Sequence, residues 1–322
     1  MRRYVSLILL LVMIFPALSG CEPAERNDRG SDKIMVMATI FAPYDFAREV
    51  AGNKADVVML LPPGADAHSH ELSVRDTIAL QNADVFIHIG GGSDFWARRV
   101  LGALNTENIK LVPLMDSISP LREEIVEGME TGHEDCEPCH EHHIKNLPYD
   151  EHIWTSPANA KLIVQRIADA LSEADPRNAE YYRQNAAEYI ERLYELDNAF
   201  MEVAANGVRN TIVFGDRFPF RYFAHRYGLR YYAAFPGCSG QTEPSARTLT
   251  FLIDKIIEEN IPVVFHIELS NQKIADTISA QTGAKKLLLH SAHNISRDDF
   301  SAGVTYMCLM IRNVETLRKA LN

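Results

Sequence analysis

The sequence predicts an α/β protein of two similar (β/α) lobes, each with a parallel-type sheet, joined by a long rigid helix. Three observations carry that expectation. From Lys33 onward, short apolar runs alternate with longer amphipathic stretches, the pattern of βαβ units whose sheets are covered by helices. The same alternation restarts after Gly207. Between the two series lies a charged segment, from Pro176 to about Ala205, with no internal glycine or proline.

In chain order, the first series gives strands at Ile34 to Ile40, Asp56 to Leu61, Asp84 to Ile89 and Ile109 to Leu114, each a short run rich in branched apolar residues. Helices are expected between them over Pro43 to Ala51, Ser73 to Asn82 and Ser93 to Leu104. Ser156-Pro157 then reads as a helix cap followed by a first-turn proline, and Asp175-Pro176 restarts a helix in the same way. The second of these helices is roughly 45 Å long at the standard rise and would limit motion between lobes. The second series gives strands at Thr211 to Gly215, Arg230 to Phe235, Pro262 to Ile267 and Lys286 to His290. Its helices fall near Phe220 to Tyr227, Ser245 to Asn260, Asn271 to Thr282 and Val304 to Leu321.

The chain of 322 residues opens with Met-Arg-Arg-Tyr, an apolar run from Val5 to Leu18, and Leu18-Ser19-Gly20-Cys21. These are the charged, apolar and small-residue zones of an export signal, too short for a comfortable membrane span. Leu-Ser-Gly-Cys also looks like a bacterial lipobox, which implies cleavage before Cys21 and lipid on that cysteine. The expected organisation is residues 1–20 as signal peptide, 21–32 as lipidated tether, 33–155 as first lobe, 156–206 as linking helices and 207–322 as second lobe. A loop over 131–146 interrupts the first lobe. A monomer is expected. The formal charge of −11 argues against nucleic acid and mildly favours a cationic partner. Cys308, in the apolar stretch Met307 to Ile311, reads as a buried core thiol. Cys238 is open between a core thiol, a disulfide partner and a residue near a site.

Three histidines sit where strands end or helices begin. His68 follows the second strand through Pro62-Pro63-Gly64, His152 precedes the cap at Ser156, and His290 closes the last strand. Open α/β sheets bind ligands beyond the carboxyl ends of their strands, so these positions converge in principle on one cleft. Imidazole is the commonest transition-metal ligand. Singly, each reads as a solvated or hydrogen-bonded histidine. Their joint placement points to a metal.

Four stretches carry a resemblance to a known family: Pro63-Gly64-Ala65-Asp66-Ala67-His68 with Glu71, Asp150-Glu151-His152 running into Ser156-Pro157-Ala158-Asn159, Val213-Phe214-Gly215-Asp216, and Thr242-Glu243-Pro244-Ser245. From about Lys33 to the C-terminus the chain resembles the metal-ion-binding proteins of ABC importers for zinc and manganese. The resemblance implies two lobes joined by a long helix, a metal held between them, an importer permease as partner, and a lipid anchor to a bacterial membrane, in the periplasm or at the cell surface. It places the family's two first-lobe ligands at His68 and His152. The third, normally a histidine, falls on Gly215, and the fourth, usually a carboxylate, on His290. His293 is open between a further ligand and a turn cap. Asp216, with Arg217 beside it, reads as a structural ion pair or as a residue completing the coordination. Imidazole-rich sites suit Zn2+ better than Mn2+.

The segment from His133 to His143, with Cys136, Cys139, His140 and His142, is a low-complexity run of metal ligands. Zinc receptors of the resembled family often carry such a loop here, which implies transient metal collection. Cys136-Glu137-Pro138-Cys139-His140 also has the spacing of c-type haem attachment, but its flanks are charged where haem needs an apolar pocket. Other readings remain beside the importer receptor: a metal-sequestering or adhesin-type surface lipoprotein, and a zinc hydrolase with Glu71 or Glu268 as base. No His-Glu-x-x-His or Gly-x-Ser-x-Gly motif supports the hydrolase.

Overall fold

The computed structural model describes residues 33–65, 70–91, 95–102, 104–129, 147–238 and 243–322. The leader, Cys21, His68 and the loop 131–146 lie outside them. The first sheet contains β1 (Ile34–Ala38), β2 (Ala55–Met59), β3 (Val85–His88) and β4 (Lys110–Pro113), in the order β2-β1-β3-β4, and the second contains β5 (Thr211–Phe218), β6 (Arg230–Pro236), β7 (Val263–His266) and β8 (Lys285–Leu288), in the order β6-β5-β7-β8. Every strand pair in both sheets is parallel. The two lobes thus repeat one topology, as the restarting alternation predicts.

The side chains show why both sheets are buried on two faces. Along a strand they alternate, so Val36, Ala38, Ile212 and Phe214 enter one large core while Met37 and Val213 enter separate small ones. The large core is continuous through both lobes. It is filled from outside the sheets by α1 (Phe41–Ala51), α4 (Pro157–Ala174), α5 (Ala179–Asn206) and α10 (Tyr306–Leu321). The small core of the first lobe lies under α2 (Val74–Gln81) and α3 (Phe95–Leu101); that of the second lies under α7 (Ala246–Glu258) and α8 (Lys273–Thr282). The remaining helices are α6 (Arg221–Tyr227) and α9 (Arg297–Ser301). No described helix is long and apolar enough to cross a membrane.

The joining segment is two helices broken at a turn. Asp175 ends α4, and its carboxylate accepts hydrogen bonds from Asn178 (2.6 Å) and the Tyr182 hydroxyl (3.0 Å). The chain then runs uninterrupted through the 28 residues of α5.

Two expectations change. Strand β5 continues past Gly215 to Phe218, because a bulge between Phe214 and Arg217 keeps its pairing with β6. Cys308 is exposed, not buried. At helical spacing Met307, Met310, Val314 and Leu317 take the core side of α10, which turns Cys308 and Ile311 outward. Its thiol accepts the Thr305 hydroxyl at 3.2 Å.

Candidate metal centre

A cavity of about 290 Å³ opens beyond the carboxyl ends of β5, β6 and β7. Its wall includes Asp216 and Arg217 from β5 and the segment Ile267 to Asn271 after β7, the two strands between which the second sheet reverses its winding. Ala65 and His152 close it from the first lobe, and His293 and Asn294 from the segment after β8.

His152 is buried and held on every side. Its backbone N–H donates to the Asp150 carboxylate at 2.8 Å, and its ring Nδ1 lies 3.2 Å from the same oxygen. A carboxylate only accepts, so the network assigns the ring proton to Nδ1 and leaves the Nε2 lone pair for an ion. Burial pushes the imidazole pKa down, but the Asp150 carboxylate, followed by Glu151 and Glu123, outweighs it and raises the net value above the ordinary 6.5. The second lobe grips the same turn: the Tyr222 hydroxyl donates to the Asp150 carbonyl (2.7 Å), the Trp154 indole N–H to the Ser291 carbonyl (2.8 Å), and the Tyr306 hydroxyl to the Trp154 carbonyl (2.8 Å). A Cβ on Gly237 would come within 3.1 Å of the His152 ring.

His293 is the imidazole that faces His152. Two imidazoles sharing one zinc at Zn–N distances of about 2.0–2.1 Å hold their ring centres roughly 5 Å apart. Here the centres lie 5.6 Å apart and the planes cross at 72°. Trp154 packs against both rings. Ala292, with φ at +57°, turns the chain so that His293 reaches the cavity while His290 does not.

His290 instead supports that turn. Its Nδ1 accepts the Ala292 N–H at 3.0 Å, which leaves the neutral ring's proton on Nε2, and Asn313 clasps its backbone on both sides. The Glu268 carboxylate completes the scaffold. It accepts from the Ser291 N–H (2.7 Å), the Ser291 hydroxyl (2.6 Å) and the His293 N–H (3.1 Å).

Position 215 is closed to any side chain. An added Cβ would stand 2.6 Å from Ala275 Cα and 2.7 Å from its nitrogen, in the first turn of α8. Any side chain this strand presents to the cavity therefore comes from further along. Asp216 is there, its carboxylate fixed by the backbone N–H groups of Arg217 (2.9 Å) and Ile267 (3.2 Å). These bonds replace the expected ion pair. The Arg217 guanidinium makes no ion pair or hydrogen bond with the described residues.

The structure therefore brings together His152, His293 and Asp216 at one cavity and leaves His290 behind its wall. His68 and the loop residues His133, His140, His142 and His143 lie outside the described residues. Ala65, three residues ahead of His68, is in the cavity wall, and its loop is docked by Asn294, whose amide donates to the Pro62 and Ala65 carbonyls at 2.9 and 2.7 Å. As they stand, no three His, Cys, Asp or Glu side chains among the described residues form a metal-holding group. Cys238 is a free, half-buried thiol, its backbone N–H bonded to Glu123 at 2.9 Å. Burial, with Glu123, Asp150 and Glu151 nearby, raises its pKa, so it stays a thiol. Sequence reasoning gave Glu268 no structural part; its place directly after an apolar strand was the available signal.

Comparison with known proteins identifies relatives along nearly the whole chain. The family model for the zinc-uptake complex component A, periplasmic (ZnuA), matches residues 36–320. The chain is 28% identical over 325 residues to the zinc-binding protein AdcA of Streptococcus pyogenes serotype M3, covering 99% of this chain and 61% of that protein. It thus spans about three-fifths of the length of the AdcA relatives. It is 29% identical over 294 residues to the high-affinity zinc uptake system protein ZnuA of Bacillus subtilis, covering 91% of this chain and 89% of that one. Among solved structures, the Zn(II)-bound ZnuA-like domain of Streptococcus pneumoniae AdcA matches with a TM-score of 0.70 and 29% identity, over 90% of this chain and 99% of that one. The laminin binding protein Lmb of Streptococcus agalactiae, described as bifunctional with adhesin and metal transporting activity, matches with a TM-score of 0.74 and 26% identity, over 90% of this chain and all of that one.

Proposed function

We propose, from the premise that this chain belongs to the ZnuA family of periplasmic zinc-uptake components, that it captures a divalent transition metal, zinc first, outside the cytoplasm. It delivers the ion to the permease of an ABC importer. It acts by binding rather than turnover, as a monomer tethered through lipid on Cys21, with His133, His140, His142 and His143 collecting metal transiently on their loop.

The observation that carries this reading is the buried His152 ring, its Nδ1 fixed by Asp150 and its centre 5.6 Å from that of His293 across a cavity at the strand ends. The ligand set is His68, His152 and His293, with Asp216 as the carboxylate. The sequence-based assignment of His290 moves to His293, because the His290 Nδ1 already accepts the Ala292 N–H. Histidine nitrogens with one carboxylate make a tetrahedral zinc site. Because the His152 turn is bonded to both lobes, distortion of their junction on the permease would loosen the ligand set and free the ion.

Competitive titration with a zinc chelator tests the assignment. His152→Ala and His293→Ala should each abolish tight binding of one ion, whereas His290→Ala should weaken it about tenfold, the effect of losing a ligand's support. Loss of tight binding on His290→Ala with none on His293→Ala would reverse the assignment. Adhesion is a second reading, favoured by the likeness to Lmb; the measurement is whether the purified chain binds laminin.

A further inference from the structure

We propose that Trp154 sets the spacing of the His152 and His293 imidazoles, and that this spacing selects a tetrahedral ion, zinc, over six-coordinate divalent ions. The proposal rests on the receptor reading, with both imidazoles as ligands, and adds to it a positioning residue that does not touch the ion.

Trp154 is buried behind the cavity, whose wall includes both imidazoles but not the indole. The three rings close a triangle. The indole centre lies 5.4 Å from that of His152 and 5.3 Å from that of His293, and the imidazole centres lie 5.6 Å apart. The indole also joins the two turns that carry the ligands. Its backbone follows His152 by two residues in the short turn Ile153–Thr155, and its N–H donates at 2.8 Å to the carbonyl of Ser291, two residues ahead of His293. Both ends of this strut are anchored. The Tyr306 hydroxyl donates to the Trp154 carbonyl at 2.8 Å, and Glu268 accepts from the Ser291 N–H and hydroxyl at 2.7 and 2.6 Å. A flat aromatic ring cannot shorten, so the indole and its hydrogen bond fix how near the two turns can come.

That distance separates coordination geometries. Two imidazoles at the tetrahedral angle on zinc, with bonds of about 2.0–2.1 Å, put their ring centres roughly 5.2 Å apart. Neighbouring imidazoles on an octahedral ion meet at a right angle, which brings the centres to roughly 4.7 Å even with longer bonds. The 5.6 Å found here is nearer the first figure. To serve an octahedral ion the rings would have to close by about 1 Å. Closure is opposed at both. The His152 Nδ1 is held by Asp150 at 3.2 Å, and the His293 ring meets the indole edge-on at 70°. Moving the turns together instead would compress a hydrogen bond already at 2.8 Å, in a close-packed interior that yields little.

Zinc and manganese affinities of the purified soluble chain, measured by chelator competition, test this together with the visible spectrum of the cobalt(II)-loaded protein. Tetrahedral cobalt absorbs visible light far more strongly than octahedral cobalt, so the unsubstituted chain should give intense bands. Trp154→Leu should lower zinc affinity roughly tenfold or more, the range for a metal-bound histidine that loses its support. Its manganese affinity should stay within about threefold, so that the zinc-to-manganese ratio falls, and its cobalt bands should weaken. Trp154→Phe, which keeps a flat ring but not the N–H, should fall between the two, and it carries the test if the leucine variant does not fold. A merely structural tryptophan would weaken both ions alike. Equal losses for zinc and manganese, a ratio and cobalt spectrum unchanged in Trp154→Phe, or weak octahedral bands in the unsubstituted chain overturn this proposal alone. Failure of the unsubstituted chain to bind zinc overturns both this proposal and the receptor reading.

Discussion

An ion can reach the Nε2 of His152 only when no proton sits there. Burial lowers that imidazole's pKa, yet Asp150, Glu151 and Glu123 together carry it above 6.5, so the ring is protonated below a pKa higher than usual. Metal affinity should therefore fall with decreasing pH from a point above 6.5. Asp150→Asn should cost about 10–100-fold in zinc affinity at pH 8, as loss of a carboxylate behind a metal-bound histidine does. It should also move the fall to lower pH; zinc titrations from pH 5.5 to 8 check both effects. The place of His152 just ahead of a helix was legible in the sequence, because a cap and first-turn proline follow it. Which of His290 and His293 lines the cavity was not, since it depends on the left-handed turn at Ala292, which an alanine does not advertise. Gly215 likewise reads as a lost ligand until the approach of Ala275 is seen.

The elements carry a pH dependence of their own, because Asp45 of α1 is buried against the start of α10. Its carboxylate accepts the Tyr306 N–H at 2.8 Å and pairs with Arg48 at 2.7 Å. Burial nevertheless dominates and pushes its pKa from 3.8 up to about 6. The folded chain thus holds a proton that the unfolded chain releases between those values. Stability is fullest below about pH 4 as far as this group is concerned, and is lost as pH rises through 6, by about 3 kcal/mol. Asp45→Asn should flatten that part of the pH–stability profile in urea titrations, and an unchanged slope would contradict the account. Most strands and helices were legible because short continuous apolar runs mark strands buried on both faces, while the helices show apolar residues at a spacing of about 3.6. The bulge that extends β5 and the five residues of α9 were not, for neither is long enough to show a period.

At the scale of the molecule, one core runs through both sheets and the helices outside them. A strap adds to the join. In the segment between β4 and the loop, the Leu121 N–H donates to the Tyr222 hydroxyl (3.1 Å), Glu123 accepts from Cys238, Glu124 pairs with Arg221 (3.1 Å), and the Gly128 carbonyl accepts from Thr248 (2.8 Å). All four partners belong to the second lobe. Thermal unfolding should therefore be one cooperative transition, raised by zinc, and two separated transitions would contradict a shared core. The two similar lobes were legible in the restart of the alternation after Gly207. The strap was not, because its bonds join residues about a hundred positions apart.

The most direct test of the central claim is zinc-edge X-ray absorption on the purified soluble chain loaded with one equivalent of zinc. A centre built on His152 and His293 predicts nitrogen and oxygen neighbours at about 2.0–2.1 Å with imidazole scattering, reduced in His152→Ala. Sulfur neighbours at about 2.3 Å, or a spectrum that His152→Ala leaves unchanged, would put the ion elsewhere and contradict it.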